Sequence, residues 1–170
     1  TSDMEGWAAG LIIAAEDYRK NRDMVAHALA IDENLNSYFQ EEVLGKQDAR
    51  MREFLIGTSV LEKLTFASCA AVMSNDNAGI LLERAYKEGL FLSKSLEERD
   101  TYRYNARYRS IILASAVNLS ATNVAIYERR ASEYYATIGE AHLAIDHALR
   151  ANDQNFLADQ LDKLAHDMIN

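Results

Sequence analysis

The chain has 170 residues, of which 49% are apolar, and its formal net charge is −8. The apolar share is enough for one good core or two small ones and excludes a disordered chain. The acidic balance, with an isoelectric point near 5.0, argues against a duplex-DNA binder, which usually presents a basic face.

Proline is absent and Cys69 is the single cysteine. Long helices are therefore favoured, and no internal disulfide can form. The apolar run Leu11–Ala15 is bracketed by Asp3, Glu5, Glu16 and Asp17, so it does not read as a leader. No stretch approaches the ~20 apolar residues of a membrane span. Together these features predict a cytoplasmic location and no membrane partner.

The expected fold is mainly α, a helical bundle with one small β-hairpin. A first helix is predicted from about Gly6 to Lys20, with Trp7, Leu11, Ala14, Ala15 and Tyr18 at helical spacing. A second is predicted from Asp32 to Leu44, ended by Gly45. Asp48 then caps a third helix, with Met51, Phe54 and Leu55 facing inward. Val60, Leu61 and Leu64 carry the apolar run into a turn, and a short helix follows over Phe66–Met73. After the Ser74–Asn77 turn cluster, a helix carrying Ile80, Leu81, Arg84 and Tyr86 stops at Gly89.

At this point the period changes. Leu90-Phe91-Leu92 is β-prone, Glu97–Asp100 is a charged turn, and Tyr102 and Tyr104 alternate with Arg103 and Asn105. Three short helices followed by a hairpin is the order of a winged helix, placed at about 46 to 113. Arg107 to Val117 then starts a new helix. A separate helix is predicted for Ala125–Thr137, broken by Gly139. Ala141, Ala144, Ile145 and Ala148 share a face of the next helix, and their small size permits close helix–helix approach. After Asn152-Asp153, the residues Leu157, Leu161, Leu164 and Met168 form an amphipathic stripe expected to pack on that face. Phe156 and Ile169 lie outside the stripe. The last two helices read as one repeat of a helical array, which predicts a chain continuing beyond Asn170.

The signals for chemistry are negative. There is no glycine-rich phosphate loop, no GxSxG and no CxxC. His27, His142, His147 and His166 lack ligand spacing; His142 and His147 fall about 140° apart around a helix. They read as surface or interhelix polar residues. Cys69, on an apolar helix face, reads as buried and inert. No catalytic residue and no metal site is expected. Arg99, Arg103, Arg107 and Arg109 cluster at the wing and the following helix. They suit either phosphate contact or pairing with Glu97, Glu98, Asp100 and acidic helices elsewhere. The helix that would enter a DNA groove carries Asp76, Glu83 and Glu88 against Arg84 and Lys87, which favours pairing.

Seven segments occur in order: Glu5–Leu11, Tyr38–Leu44, Phe54–Leu64, Leu90–Leu92, Tyr102–Tyr104, Arg130–Tyr135 and Ala144–Leu149. The series resembles the middle of the large ATP-binding LuxR-type transcription regulators, the maltose-activator-like group of signal-transduction ATPases. Ala8 stands where that family often has proline, and Asn105 where its wing usually has histidine.

The resemblance implies three parts. Residues 1–30 would be the tail of an ATPase helical subdomain, 31–117 a winged-helix domain, and 118–170 the start of a helical-repeat sensor domain. It implies that ATP and Mg are cofactors of a longer parent chain and not of this piece. Gly6, Trp7 and Ala8 would lie near the nucleotide, and Arg103, Arg107, Arg109 and Phe156 would contact neighbouring domains. Promoter DNA would be bound by a C-terminal helix-turn-helix outside this sequence. The chain is thus expected to be a non-enzymatic regulatory segment. The alternatives are a free-standing helical protein-binding module and a winged-helix DNA binder.

Overall fold

A computed structural model describes the backbone of residues 39–169 and the side chains of 41, 43–116 and 122–163. The predicted helix at 6–20 and the residues Gly6, Trp7, Ala8 and His27 lie outside the described residues, as do the side chains of Leu164, His166, Met168 and Ile169.

A π-helical turn, Phe39–Leu44, opens the described chain, and Val43 and Leu44 are buried. Helix α1 spans Ala49–Thr58. Asp48 caps it, with one carboxylate oxygen accepting the Met51 N–H at 2.9 Å. Met51, Phe54 and Leu55 are fully buried, each contributing about 1.5–3 kcal/mol by leaving water. Helix α2 spans Phe66–Met73 and begins with a capping box between Thr65 and Ser68. It ends at Ser74 in the left-handed region, φ 48°. Helix α3 spans Ala78–Lys87 and is closed by Gly89 at φ 70°, a backbone angle at which glycine carries no Cβ penalty.

Strands β1, Leu92–Lys94, and β2, Tyr102–Tyr104, pair antiparallel with Leu92 opposite Tyr104 and Lys94 opposite Tyr102. One residue adds to this hairpin. Leu64 exchanges both backbone hydrogen bonds with Tyr102, each 2.8 Å. The loop between α1 and α2 thus forms a third, one-residue strand, which completes the winged-helix arrangement around α1–α3.

Helix α4 runs without interruption from Ala106 to Thr137. The sequence reading divides this stretch into two helices, 107–117 and 125–137. The polar residues between them are not a break, because no glycine or proline interrupts the intrahelical hydrogen bonds there. Asn105 caps α4 by accepting from the Arg107 and Tyr108 N–H groups. Gly139, φ 79°, turns the chain into α5, Ala141–Arg150, and Asp153 leads into α6, Gln154–Ile169. The molecule is mainly α with a two-stranded hairpin.

One apolar core joins the winged helix to α4 and α5. Met51, Phe54, Leu61, Leu82, Tyr108 and Ile112 belong to the same cluster as Tyr127, Ala131, Tyr135 and Ala144. Ala144 and Ala148 are fully buried on α5, as the small-residue pattern predicts. The face of α6 is corrected. Leu161 is 44% exposed, whereas Gln160 is buried. Gln160 takes the packed position that the stripe gave to Leu161, and Phe156 and Leu157 are both half-buried.

Candidate functional site at the junction of the winged helix and the α5–α6 hairpin

The four residues expected to contact neighbouring domains fall in different settings. Arg103 is exposed on β2, its side chain pointing away from the core that holds Tyr102 and Tyr104. Arg107 is exposed on the first turn of α4. Arg109 turns inward. Its guanidinium donates to the carbonyls of Ser59, 2.7 Å, and Val60, 2.9 Å, tying α4 to the loop after α1. Burial lowers its pKa below the ordinary arginine value, while the charges of Glu62 and Glu128 act the other way. Phe156 lies half-buried beneath the Arg129 guanidinium, 5.3 Å from the ring centre. Arg129 also pairs with Asp153, the residue that caps α6.

Further along α4, polar contacts reach both neighbours. Arg130 donates to the Val72 carbonyl at the end of α2, 3.1 Å. Ser132 donates to the Ala144 carbonyl on α5, 2.7 Å. Glu128 and His147 meet across the α4–α5 interface, with Nδ1 2.5 Å from the carboxylate oxygen. Both side chains are almost wholly buried, and the Tyr135 ring stacks on the imidazole at 5.2 Å. Desolvation pushes the Tyr135 hydroxyl up to about 12. Residues 128–135 of α4 thus hold α2 on one side and α5 on the other.

The cysteine and histidines of the described residues sit as follows. Cys69 is buried, and desolvation raises its thiol to about 12, which leaves no reactive thiolate near neutral pH. His142 is exposed beside Glu140, 3.7 Å, and His147 is committed to Glu128. Among the described residues no group of three His, Cys, Asp or Glu side chains is placed to hold a metal. Among the same residues no helix is long and apolar enough to cross a membrane.

The helix that would enter a DNA groove, α3, has its cations occupied. Arg84 bonds Asp48 at 2.6 Å and Glu88 at 2.7 Å, which raises its pKa, Glu88 first and Asp48 second. Lys87 bonds Glu83 at 3.2 Å. In the wing, Glu98 pairs with Lys63 and Asp100 with Lys94. Glu98 and Asp100 therefore find lysines rather than the arginines that their spacing suggested. The hydrogen bond from Lys63 keeps the Glu98 carboxyl below its ordinary range.

From α4, Arg109 and Arg130 reach backbone carbonyls of the winged helix. The chain thus contains a winged helix whose third core helix has its two bases, Arg84 and Lys87, each paired with an acid. Residues 40–123 match the family model described as the MalT winged helix domain, so the winged-helix part is of the MalT type. Relatives span nearly all of the chain. The HTH-type transcriptional regulator MalT of Klebsiella pneumoniae is 30% identical over 173 residues, covering 99% of this chain and 19% of the relative. MalT of Cronobacter sakazakii is 30% identical over 164 residues, 94% of this chain and 18% of the relative. The serine/threonine-protein kinase PknK of Mycobacterium tuberculosis is 30% identical over 156 residues, 90% of this chain and 14% of the relative. The chain therefore spans less than one fifth of the length of these relatives.

Proposed function

We propose that this chain is an internal regulatory segment of a larger ATP-dependent, LuxR-family activator, cytoplasmic and without catalysis of its own, that passes the nucleotide state of one neighbouring domain to a sensor domain on the other side. In this reading residues 1–30 end an ATPase subdomain, 31–117 are the winged-helix domain, and 118–170 open a helical-repeat sensor. ATP and Mg are bound elsewhere in the parent, and promoter DNA is bound by a separate helix-turn-helix.

The observation that carries the reading is α4. One helix packs against α1, α2 and α5, and its polar side chains bond both α2 and α5. A movement of the winged helix has no slack segment in which to dissipate before it reaches α5. The relatives add a second support. Similar segments occur in proteins named as transcriptional regulators and in one named as a protein kinase. Transmission between domains fits a segment found under both names better than DNA reading or phosphoryl transfer does. A free-standing protein-binding module is the competing reading; it has in its favour the exposed Leu149 and Leu161 on α5 and α6.

Calorimetry separates the two. The 170-residue chain should give no saturable heat with Mg-ATP, since no phosphate-cradling loop is present in its sequence. The same chain extended by its upstream coding sequence should bind. Micromolar ATP binding by the short chain, or none by the extended one, would refute the proposal.

A further inference from the structure

We infer that the buried Glu128–His147 pair sets the angle at which the α5–α6 hairpin leaves the winged helix, as a determinant of orientation rather than of stability. Ala131 on α4 and Ala144 and Ala148 on α5 are fully buried, with larger apolar side chains such as Tyr135 and Ile145 in or against the same core. Alanine surfaces are smooth. They let helices approach closely but present low ridges, so they discriminate weakly among crossing angles. Directional contacts must choose among those angles, and three lie here. The imidazole Nδ1 and the Glu128 carboxylate are 2.5 Å apart, a separation that requires a proton between them and a fixed line of approach. Tyr135 holds the imidazole flat, with an interplanar angle of 10°. Ser132 bonds the Ala144 carbonyl one turn of α5 before His147. The helix that carries Glu128 is itself fastened to the winged helix, by Arg109 to the Ser59 and Val60 carbonyls and by Arg130 to the Val72 carbonyl.

A buried ion pair adds little net stability over apolar side chains of similar volume, and where such pairs have an established use it is in fixing register. The functional consequence of this role rests on the coupling proposed above, but the orientation is measurable without it. Spin labels at Glu53 on α1 and His142 on α5, both exposed, in a Cys69→Ala background, report the angle as a distance distribution by pulsed electron resonance.

The unsubstituted pair should give one narrow distance. The double variant Glu128→Met/His147→Leu should unfold as cooperatively as its parent and lose that single distance to a broad or shifted distribution. Glu128→Gln, which still accepts from Nδ1–H, should keep it narrow. An unchanged distribution in the double variant would overturn the inference. So would loss of cooperative folding there, which would assign the pair to stability, or a broadened distribution in Glu128→Gln. A narrow double variant whose full-length counterpart no longer responds to ATP would sink this inference and leave the coupling role standing.

Discussion

The Thr58 hydroxyl and the Tyr104 hydroxyl lie 2.7 Å apart in the core, joining the end of α1 to strand β2. Thr58 also donates to the Phe54 carbonyl at 2.7 Å, so its proton is committed and Tyr104 is the donor of the pair. The two partners should respond unequally to removal. Tyr104→Phe loses one hydrogen bond and leaves Thr58 satisfied, at a cost of about 0.5–1.5 kcal/mol. Thr58→Val leaves the buried Tyr104 phenol without its acceptor and should cost about 1–3 kcal/mol. Urea unfolding of both variants checks the asymmetry; equal losses would contradict the assigned donor.

At Gly57, α1 leaves no room for a side chain against its neighbours. A Cβ there would lie 2.4 Å from the Met73 sulfur and 3.0 Å from the Tyr127 ring. Met73 can move, but the ring belongs to α4 and is held in the core. Gly57→Ala should therefore destabilise by about 1–3 kcal/mol through overpacking. Adding Met73→Ala should restore only part of the loss. Complete restoration in thermal melts would show that Tyr127 is not the obstacle.

Alkaline pH should unfold the protein early. Desolvation raises the Cys69 thiol from its ordinary 9.0 to about 12 and the Tyr135 phenol from 10.0 to about 12; it also raises Tyr104 well above 10.0. Above their ordinary values these groups lose protons in the unfolded chain while the folded chain retains them. The unfolded state then binds fewer protons, so stability falls as pH rises. The decline should begin near pH 9 with Cys69 and steepen above pH 10 with the tyrosines. In Cys69→Ala the onset should move towards pH 10. Denaturant midpoints across about pH 8–11 measure both. An onset at pH 9 that persists in the variant would count against the thiol.

Much of this arrangement was legible because it depends on local rules. The Asp48 cap, the helix over Phe66–Met73 and the alternation at Tyr102 and Tyr104 each arise from short-range geometry, and all three are observed. What was missed depends on tertiary contact. The Leu64 bridge is one residue long and leaves no period. The continuity of α4 was hidden by a polar run that helices tolerate. Gln160 took a core position that hydropathy reserves for Leu161. The pairing of Glu128 with His147 spans 19 residues, and neither residue belongs to a recognisable motif. Arg109, grouped by sequence with Arg103 and Arg107, differs from them only because its side chain meets two bare carbonyls after α1.

The charge pattern predicts weak, non-specific behaviour towards DNA. With Arg84 and Lys87 bonded to acids on α3, any duplex binding at low salt should be electrostatic and vanish by about 200 mM salt. An electrophoretic shift series with this chain is sufficient. A sequence-specific footprint that survives that salt would establish the winged helix as a DNA reader.

The proposed coupling requires that α4 transmits. Arg130 is the side chain that fastens the second half of α4 to α2, through the Val72 carbonyl, and it lies in none of the proposed ligand sites. Arg130→Ala in the full-length parent should leave ATP affinity within about twofold of the parent, a change of roughly 0.4 kcal/mol or less by the relation of free energy to binding constant. It should abolish the ATP-dependent change in output. The decisive measurement is therefore a paired one on the same preparation: ATP affinity by calorimetry and ATP-dependent output by reporter. Unchanged affinity with lost response is the predicted result. Unchanged affinity with an intact response would contradict the claim that this helix couples the two domains.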